Sequence, residues 1–326
     1  MIQDNIKTRV VGVDINLDKT TCAIVDIRGN IITSTSFAST DYPFIGDYLA
    51  VLSEHILTMV EANGGYESVR SVGLSIPSGN FLEGCLVNSP NLPWKGVIPL
   101  AAMLRDRLGI AVALGNDAHV TALGEHVFGS AHGMKNFIVV SLGYGIGSCV
   151  FSHGEAHLGA DGFAGEFGHA CVVPNGRMCG CGRMGCLEAS CGDKGIKTTA
   201  HELLAQSQEP SLMRELDHIS PRTICKCCEQ GDKLAIEVFR RTGHILGVAI
   251  ANYASMVDPE AIILTGGISK AGHWLLDPAI EAFDKHVFRN IRGHVKILCS
   301  SIDDRERDVL GASALAWGIK EYSLFK

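Results

Sequence analysis

No stretch of this 326-residue chain reaches the roughly 18 consecutive apolar residues that a membrane span requires. The opening MIQDNIKTRVVGVD lacks even the shorter apolar run of a signal peptide. A cytoplasmic protein with no membrane partner is therefore expected. Basic residues are not in excess: 28 Lys and Arg stand against 35 Asp and Glu, a formal charge of −7. That balance offers no basic face to a nucleic acid or an anionic membrane. Low-complexity tracts are absent. With 46% apolar and 19% charged residues, the chain can bury a substantial core, and disorder is not expected beyond the termini. The length suits two domains of ordinary size.

Cysteine is not scarce. The 12 present read as free thiols and metal ligands of a reducing compartment rather than as a disulfide framework. The most informative stretch is HACVVPNGRMCGCGRMGCLE, residues 169–188. It places His169, Cys179, Cys181 and Cys186 close together, with glycines between the thiols. Imidazole and thiolate are the ligands Zn²⁺ prefers, and Cys₃His is one of its closed structural sets. The glycines let a short loop turn several sulfurs toward one point. Buried free thiols, or disulfides of a secreted domain, are the plainer alternative. Glu166 in GEFGH and Glu188 in GCLE bracket the cluster. Cys225, Cys227 and Cys228 have no such partners and read as structural thiols on a helix.

The apolar pattern alternates between strand and helix periods. Strands are expected at RVVGVDI and TTCAIVDI, turning at Arg28-Gly29-Asn30, then near 31–37, at SVGLSIP and at AVALGND. Helices are expected over 47–62 and 100–108. That half ends at Asp117. The second half repeats the theme: NFIVVSLGYGIGSCVFSHG reads as two strands around a glycine-rich turn. A long helix over 233–256, strands at AIILTGG and VKILCS, and a helix at LGASALAWGIKEY follow. Two similar α/β halves suggest a duplicated two-domain enzyme with a small-molecule site in the cleft between domains.

The order of motifs resembles the ROK family of sugar kinases and repressors along nearly the whole chain. The carriers are an opening phosphate hairpin, SPNLPW, GND, GYGIG, GEFGH, CGCGRMGCLE and VDPEAIILTGG. The combination of GH with CxCGxxGCxE is the most family-specific. The resemblance implies a two-domain actin-like ATPase (ribonuclease-H-like) α/β fold. Residues 1–117 would form a smaller domain, with a final helix at about 305–326 packing back on it. Residues 118–304 would form a larger domain carrying the zinc loop. It implies an ATP-dependent kinase that phosphorylates a hydroxyl of a hexose or N-acetylhexosamine, working with Mg²⁺ and a structural zinc, and a homodimer. Asp117 would be the general base. Gly79, Asn80, Asn91, Asn116, Asp117, Glu166, His169 and Glu188 would hold the sugar. Asp14 would act on Mg²⁺ through water, and Lys19, Gly143, Tyr144, Gly145, Gly266 and Gly267 would lie along the nucleotide.

The departures from that family's pattern fall on the phosphate side. DINLDK stands where DIGGTK is usual, so Asn16, Leu17 and Asp18 replace glycine, glycine and threonine. Glycine permits positive φ and close approach of N–H groups to phosphate, and a carboxylate there repels a triphosphate. Tyr144 replaces a threonine, Thr265 the first glycine of GGG, and Ser78 the glycine of PG. A kinase with a variant phosphate cradle and a sugar-binding sensor both follow from this pattern. The retained Asp14, Asp117, Gly143, Gly145 and Gly147 favour the kinase. The first strand begins near Arg9, which leaves no room for the winged helix of family repressors, so direct DNA binding is not expected.

Overall fold

The computed structural model describes residues 7–89 and 92–319. The expected sugar contact Asn91 lies outside the described residues. In chain order the elements are β1 (Arg9–Ile15), β2 (Lys19–Asp26), β3 (Ile31–Ala38), α1 (Ile45–Glu61), β4 (Val69–Ser75), β5 (Gly79–Asn80), β6 (Cys85–Val87), β7 (Val97–Ile98), α2 (Leu100–Leu108), β8 (Ala111–Gly115) and α3 (Asp117–Phe128). Then come β9 (Phe137–Leu142), β10 (Ile146–Ser152), β11 (Glu155–Ala156), α4 (Leu187–Cys191), α5 (Asp193–Gln206), α6 (Pro221–Glu229), α7 (Lys233–Val257), β12 (Ala261–Thr265), α8 (His273–His286), β13 (Lys296–Cys299) and α9 (Arg307–Trp317).

The chain divides into two compact units. One comprises residues 1–133, 158–162 and 301–326, and the other residues 134–157 and 163–300. In the first, the sheet order is β3-β2-β1-β4-β8. β1 pairs antiparallel with β2, and β2 with β3; β1, β4 and β8 run parallel. Alternation sends Val11 and Val13 to one face, where α1 and α2 cover them with Leu49, Leu52, Leu100 and Leu104. Val10, Ala23 and Val25 face the other side and meet Val309 and Leu310 of α9. α9 lies directly on β1 and β4 because Gly12 and Gly73 leave room. A Cβ on them would stand 2.2 Å from the Val309 carbonyl oxygen and 2.0 Å from that of Ala312. The division falls after Gly133 rather than at 117, since α3 packs on α9. A Cβ at Gly124 would meet Gly311 Cα at 3.1 Å.

The second unit repeats the order as β11-β10-β9-β12-β13, again an antiparallel pair of ladders followed by parallel neighbours. Ile138, Val140, Ile262 and Leu264 of this sheet pack in one buried cluster with Leu246 and Ile250 of α7 and Phe283 of α8. The 25-residue α7 is capped by Asp232, whose carboxylate accepts from Leu234 N and Ala235 N at 2.9 and 3.0 Å. α6 starts with Pro221 behind a Ser220–Thr223 capping box.

Candidate functional site

In the first unit the parallel register aligns Asp14 with Ser75 and Ser75 with Gly115. The turns after β1, β4 and β8 therefore leave the same edge of the sheet, the edge where α/β proteins place ligands. Asp14 ends this row half-buried. Burial, with the charges of Asp308 and Asp117, pushes its carboxyl up to about 8; Arg307 and Lys19 oppose the rise. Asn16 Nδ2 donates to Asp14 Oδ2 at 2.6 Å, and Asn16 N closes the turn on the Lys19 carbonyl at 3.1 Å. None of residues 16–18 has positive φ. The expectation that Leu17 resists a glycine-like conformation is thus met by a turn that does not need one.

Gly115-Asn116-Asp117 carries β8 into α3. Asn116 is the N-cap, its Oδ1 accepting from His119 N at 2.8 Å, which leaves the Nδ2 end as the donor group for a ligand. Asp117 Oδ1 accepts from Ala118 N at 2.8 Å, at the positive end of the helix dipole. Solvent reaches the Asp117 side chain, yet desolvation raises its carboxyl above the usual range. Asp308 adds to this and the Ala118 N–H opposes it.

Ser78, in the glycine slot, has φ of +61°, the left-handed region. The sequence substitution is thus a conformational strain on the loop that precedes Gly79 and Asn80. The Asn80 side chain is buried and engaged at both ends. Its Oδ1 accepts from Leu82 N and Glu83 N at 3.0 and 3.3 Å, and its Nδ2 donates to the Asp161 carbonyl at 3.2 Å. It clasps the segment 158–162, which groups with the first unit although its neighbours in sequence group with the second. No sequence signal pointed to this.

In the second unit the turn GEFGH is held by two side chains, Ser148 and Tyr253. Ser148 Oγ donates to the Gly165 carbonyl and accepts from Phe167 N at 3.1 Å. Tyr253 OH donates to the Phe167 carbonyl at 2.7 Å, with the two rings stacked at 4.0 Å. Neither Ser148 nor Tyr253 was marked by a motif; each reads in sequence as an ordinary strand or helix residue. Glu166 stands exposed at the start of the short helical turn Phe167–His169. Glu188, in the first turn of α4, accepts from Ile146 N through Oε2 at 3.0 Å, and Cys179 Sγ lies 3.6 Å from its Oε1.

His169, Cys179, Cys181 and Cys186 each offer one ligand atom, all within 4.8 Å of one another. Cys179 Sγ lies 3.7 Å from His169 Nδ1, and Cys181 Sγ 3.7 Å from Cys186 Sγ. The Arg183 backbone N–H draws the Cys181 thiol down to about 6, while burial pushes Cys179 up to about 12. None of the twelve cysteines is in a disulfide.

The β9–β10 turn, Gly143-Tyr144-Gly145, lies beside a cavity of about 830 Å³. Gly143, Tyr144 and Gly267 line it, joined by Arg222 and Lys226 of α6 and by Lys270. Asp193 N, opening α5, donates to the Gly143 carbonyl at 3.0 Å. Gly266 has φ of +89°, and a Cβ there would stand 2.4 Å from the Leu142 carbonyl oxygen. Thr265 is buried as the last residue of β12, paired with Ser141 of β9.

Residues 10–318 match the ROK family. The chain belongs to the ROK family. This ROK chain is 31% identical to a glucokinase of Thermotoga maritima, over 95% of its own length and 97% of that protein's. It is 34% identical to the N-acetylglucosamine repressor of Escherichia coli O157:H7, over 66% of this chain and 52% of the repressor. A ROK family glucokinase from Streptomyces griseus, solved with glucose and AMPPNP, superposes with a TM-score of 0.75 at 28% identity. The match covers 95% of this chain and 99% of that one. The two repeated sheets are thus those of the actin-like ATPase fold. Among the described residues, no helix is long and apolar enough to cross a membrane.

Proposed function

We propose that this ROK chain is an ATP-dependent sugar kinase that phosphorylates a hydroxyl of a hexose or N-acetylhexosamine. What supports the reading above all is the Asn116–Asp117 pair at the start of α3, in a chain that matches a glucokinase from end to end. Phosphoryl transfer asks for placement and charge stabilisation more than for covalent chemistry. Asp117 accepts the hydroxyl proton as that oxygen bonds to the γ-phosphorus and ADP departs. Asn116, through Nδ2, with Glu166, His169 and Glu188, orients ring hydroxyls, and Gly79 adds its backbone. Asn80 acts by holding the segment 158–162. Asp14 would hold Mg²⁺ as a carboxylate, the ion drawing off the proton that burial favours, with Lys19 beside it also favouring the charged form. Mg²⁺, when bound, offsets the negative charge of the phosphates.

The Cys₃His set fits a structural zinc. Ligands at about 2.0–2.3 Å around a tetrahedral ion stand about 3.5–3.8 Å apart, and two of the pairs already lie at 3.7 Å. His169 turns Nδ1 to the cluster and keeps Nε2 for the sugar. Four protein ligands leave no open coordination position, so the ion's part is to hold the loop that carries His169 and Glu188.

A panel of hexoses and N-acetylhexosamines in a coupled ADP assay tests the reading. Sugar-dependent ADP release is expected with at least one of them. Sugar binding by calorimetry with no ADP release from any would overturn it in favour of a sensor.

A further inference from the structure

The opening turn of the first unit is poorly equipped for a triphosphate. Asp18 puts a carboxylate there, Leu17 a bulky apolar side chain, and Asn16 is turned onto Asp14. A carboxylate near several phosphate charges costs affinity. The second unit carries the opposite charge. Arg222 and Lys226 stand four residues apart, on one face of α6, and both line the 830 Å³ cavity beside the Gly143–Gly145 turn. Lys270, from the short helical turn after β12, lines it as well. The acidic members of the lining are Asp193 and Glu229. Asp193 is already paired with Lys197 at 2.5 Å, so Arg222 and Lys226 stand against the single carboxylate of Glu229. The capping box and Pro221 fix the end of α6 that bears Arg222.

We propose that the donor's phosphate chain is held in this chain by the side-chain cations Arg222, Lys226 and Lys270, which take over the work that a glycine-lined opening turn performs through backbone N–H groups. The proposal rests on the kinase reading and names the residues that select a polyanionic donor within it. Guanidinium and ammonium groups serve phosphate oxygens through charge-assisted hydrogen bonds. An affinity built on such pairs falls with ionic strength more steeply than one built on backbone amides.

The test is calorimetric titration of the full chain with Mg·ATP and, separately, with adenosine. Arg222→Gln/Lys226→Gln should weaken ATP about tenfold or more, the loss expected for one or two hydrogen bonds to charged groups. Adenosine and sugar affinity should stay within about twofold, and the salt dependence of ATP binding should flatten. Arg222→Lys, which keeps the charge, should recover much of the loss, and Lys270→Gln should add to it. All three side chains are exposed, so the variants should melt with the wild type. Equal losses for adenosine and ATP would overturn the proposal, since the cations would then serve the nucleoside. Unchanged ATP affinity would overturn it too. A wild-type chain that binds sugar but no nucleotide would overturn the kinase reading, and the clamp with it.

Discussion

Gly145→Ala separates the fold from the sugar site. The new Cβ would stand 2.7 Å from Glu188 Oε2, a distance no real Cβ tolerates, and 3.6 Å from its Cδ. Both atoms belong to the end of a flexible side chain, so the carboxylate moves and the backbone stays. Moving it breaks the 3.0 Å bond from Ile146 N. A hydrogen bond to a charged group is worth about 1.5–3 kcal/mol, and Ala returns about 0.4–1 kcal/mol by narrowing the unfolded ensemble. The net destabilisation should stay under about 2.5 kcal/mol, a fall of a few degrees in Tm. Sugar affinity should fall further. Losing one carboxylate contact to a hydroxyl costs about 1.5–3 kcal/mol, or about 10- to 150-fold in Kd. Calorimetry with the sugar found active gives the Kd, and thermal melting gives the Tm. Gly143→Ala is the control, because its Cβ would meet only the Gly145 carbonyl oxygen, at 3.9 Å, and both quantities should hold. A folded Gly145→Ala variant that binds sugar within twofold of wild type would refute the role given to Glu188.

Asp117→Asn should keep sugar affinity and lose about two to four decades in turnover; equal turnover would show that another group takes the proton. Native mass spectrometry should find one zinc per chain, absent from Cys181→Ser, whose Tm should fall because metal and loop fold together; a metal-free wild type purified without chelator would sink the zinc assignment. Ser78→Gly should relieve about 1–2 kcal/mol of left-handed strain against about 0.4–1 kcal/mol of added unfolded entropy, for a modest rise in Tm, and a lower Tm would mean that the Ser78 hydroxyl matters more than the strain. The Asp14 carboxyl, at about 8 in the folded chain against 3.8 ordinarily, binds a proton in the folded state that the unfolded state releases. Stability from this group is present below pH 4 and lost as pH rises toward 8. Asp14→Asn should remove that slope from the pH dependence of chemical unfolding, and an unaltered slope would discount the shift.

What could be read before the structure were the features written in local periodicity and residue type. The long helix, expected over 233–256, forms as Lys233–Val257, because Leu234, Val238, Leu246 and Ile250 recur at helical spacing and an Asp cap precedes them. The repeated halves were legible in two hairpins of matching layout. Ser78 was legible as a residue out of place, and its φ gives the reason. The rest depended on contacts between distant residues. The grouping of 158–162 with the first unit is accompanied by the hydrogen bond from the Asn80 carboxamide to the Asp161 carbonyl, a contact 81 residues apart in sequence. The boundary after Gly133 follows from glycine-to-glycine packing of α3 on α9. β5 and β7, two residues each, are too short to show a period. Arg222, Lys226 and Lys270 belong to no motif, and only the turn of α6 and the path after β12 put them around one cavity.

The position of Glu188 links features that the sequence presents separately. Its Oε2 is tied to Ile146 N, one residue past the donor-side turn, while its Oε1 faces Cys179 of the metal cluster. Its backbone carbonyl receives Gly192 N, which leads into α5, and Asp193 N then returns to the Gly143 carbonyl. The carboxylate proposed to hold the sugar is thus fixed by the turn beside the donor cavity and by the loop the zinc would brace. Displacing either should move it by fractions of an ångström, enough to matter for in-line transfer. This accounts physically for retained metal ligands beside altered phosphate turns. The loop has to stay rigid for the sugar to be placed at all, whereas charge on the donor can be met by any cation that reaches the cavity.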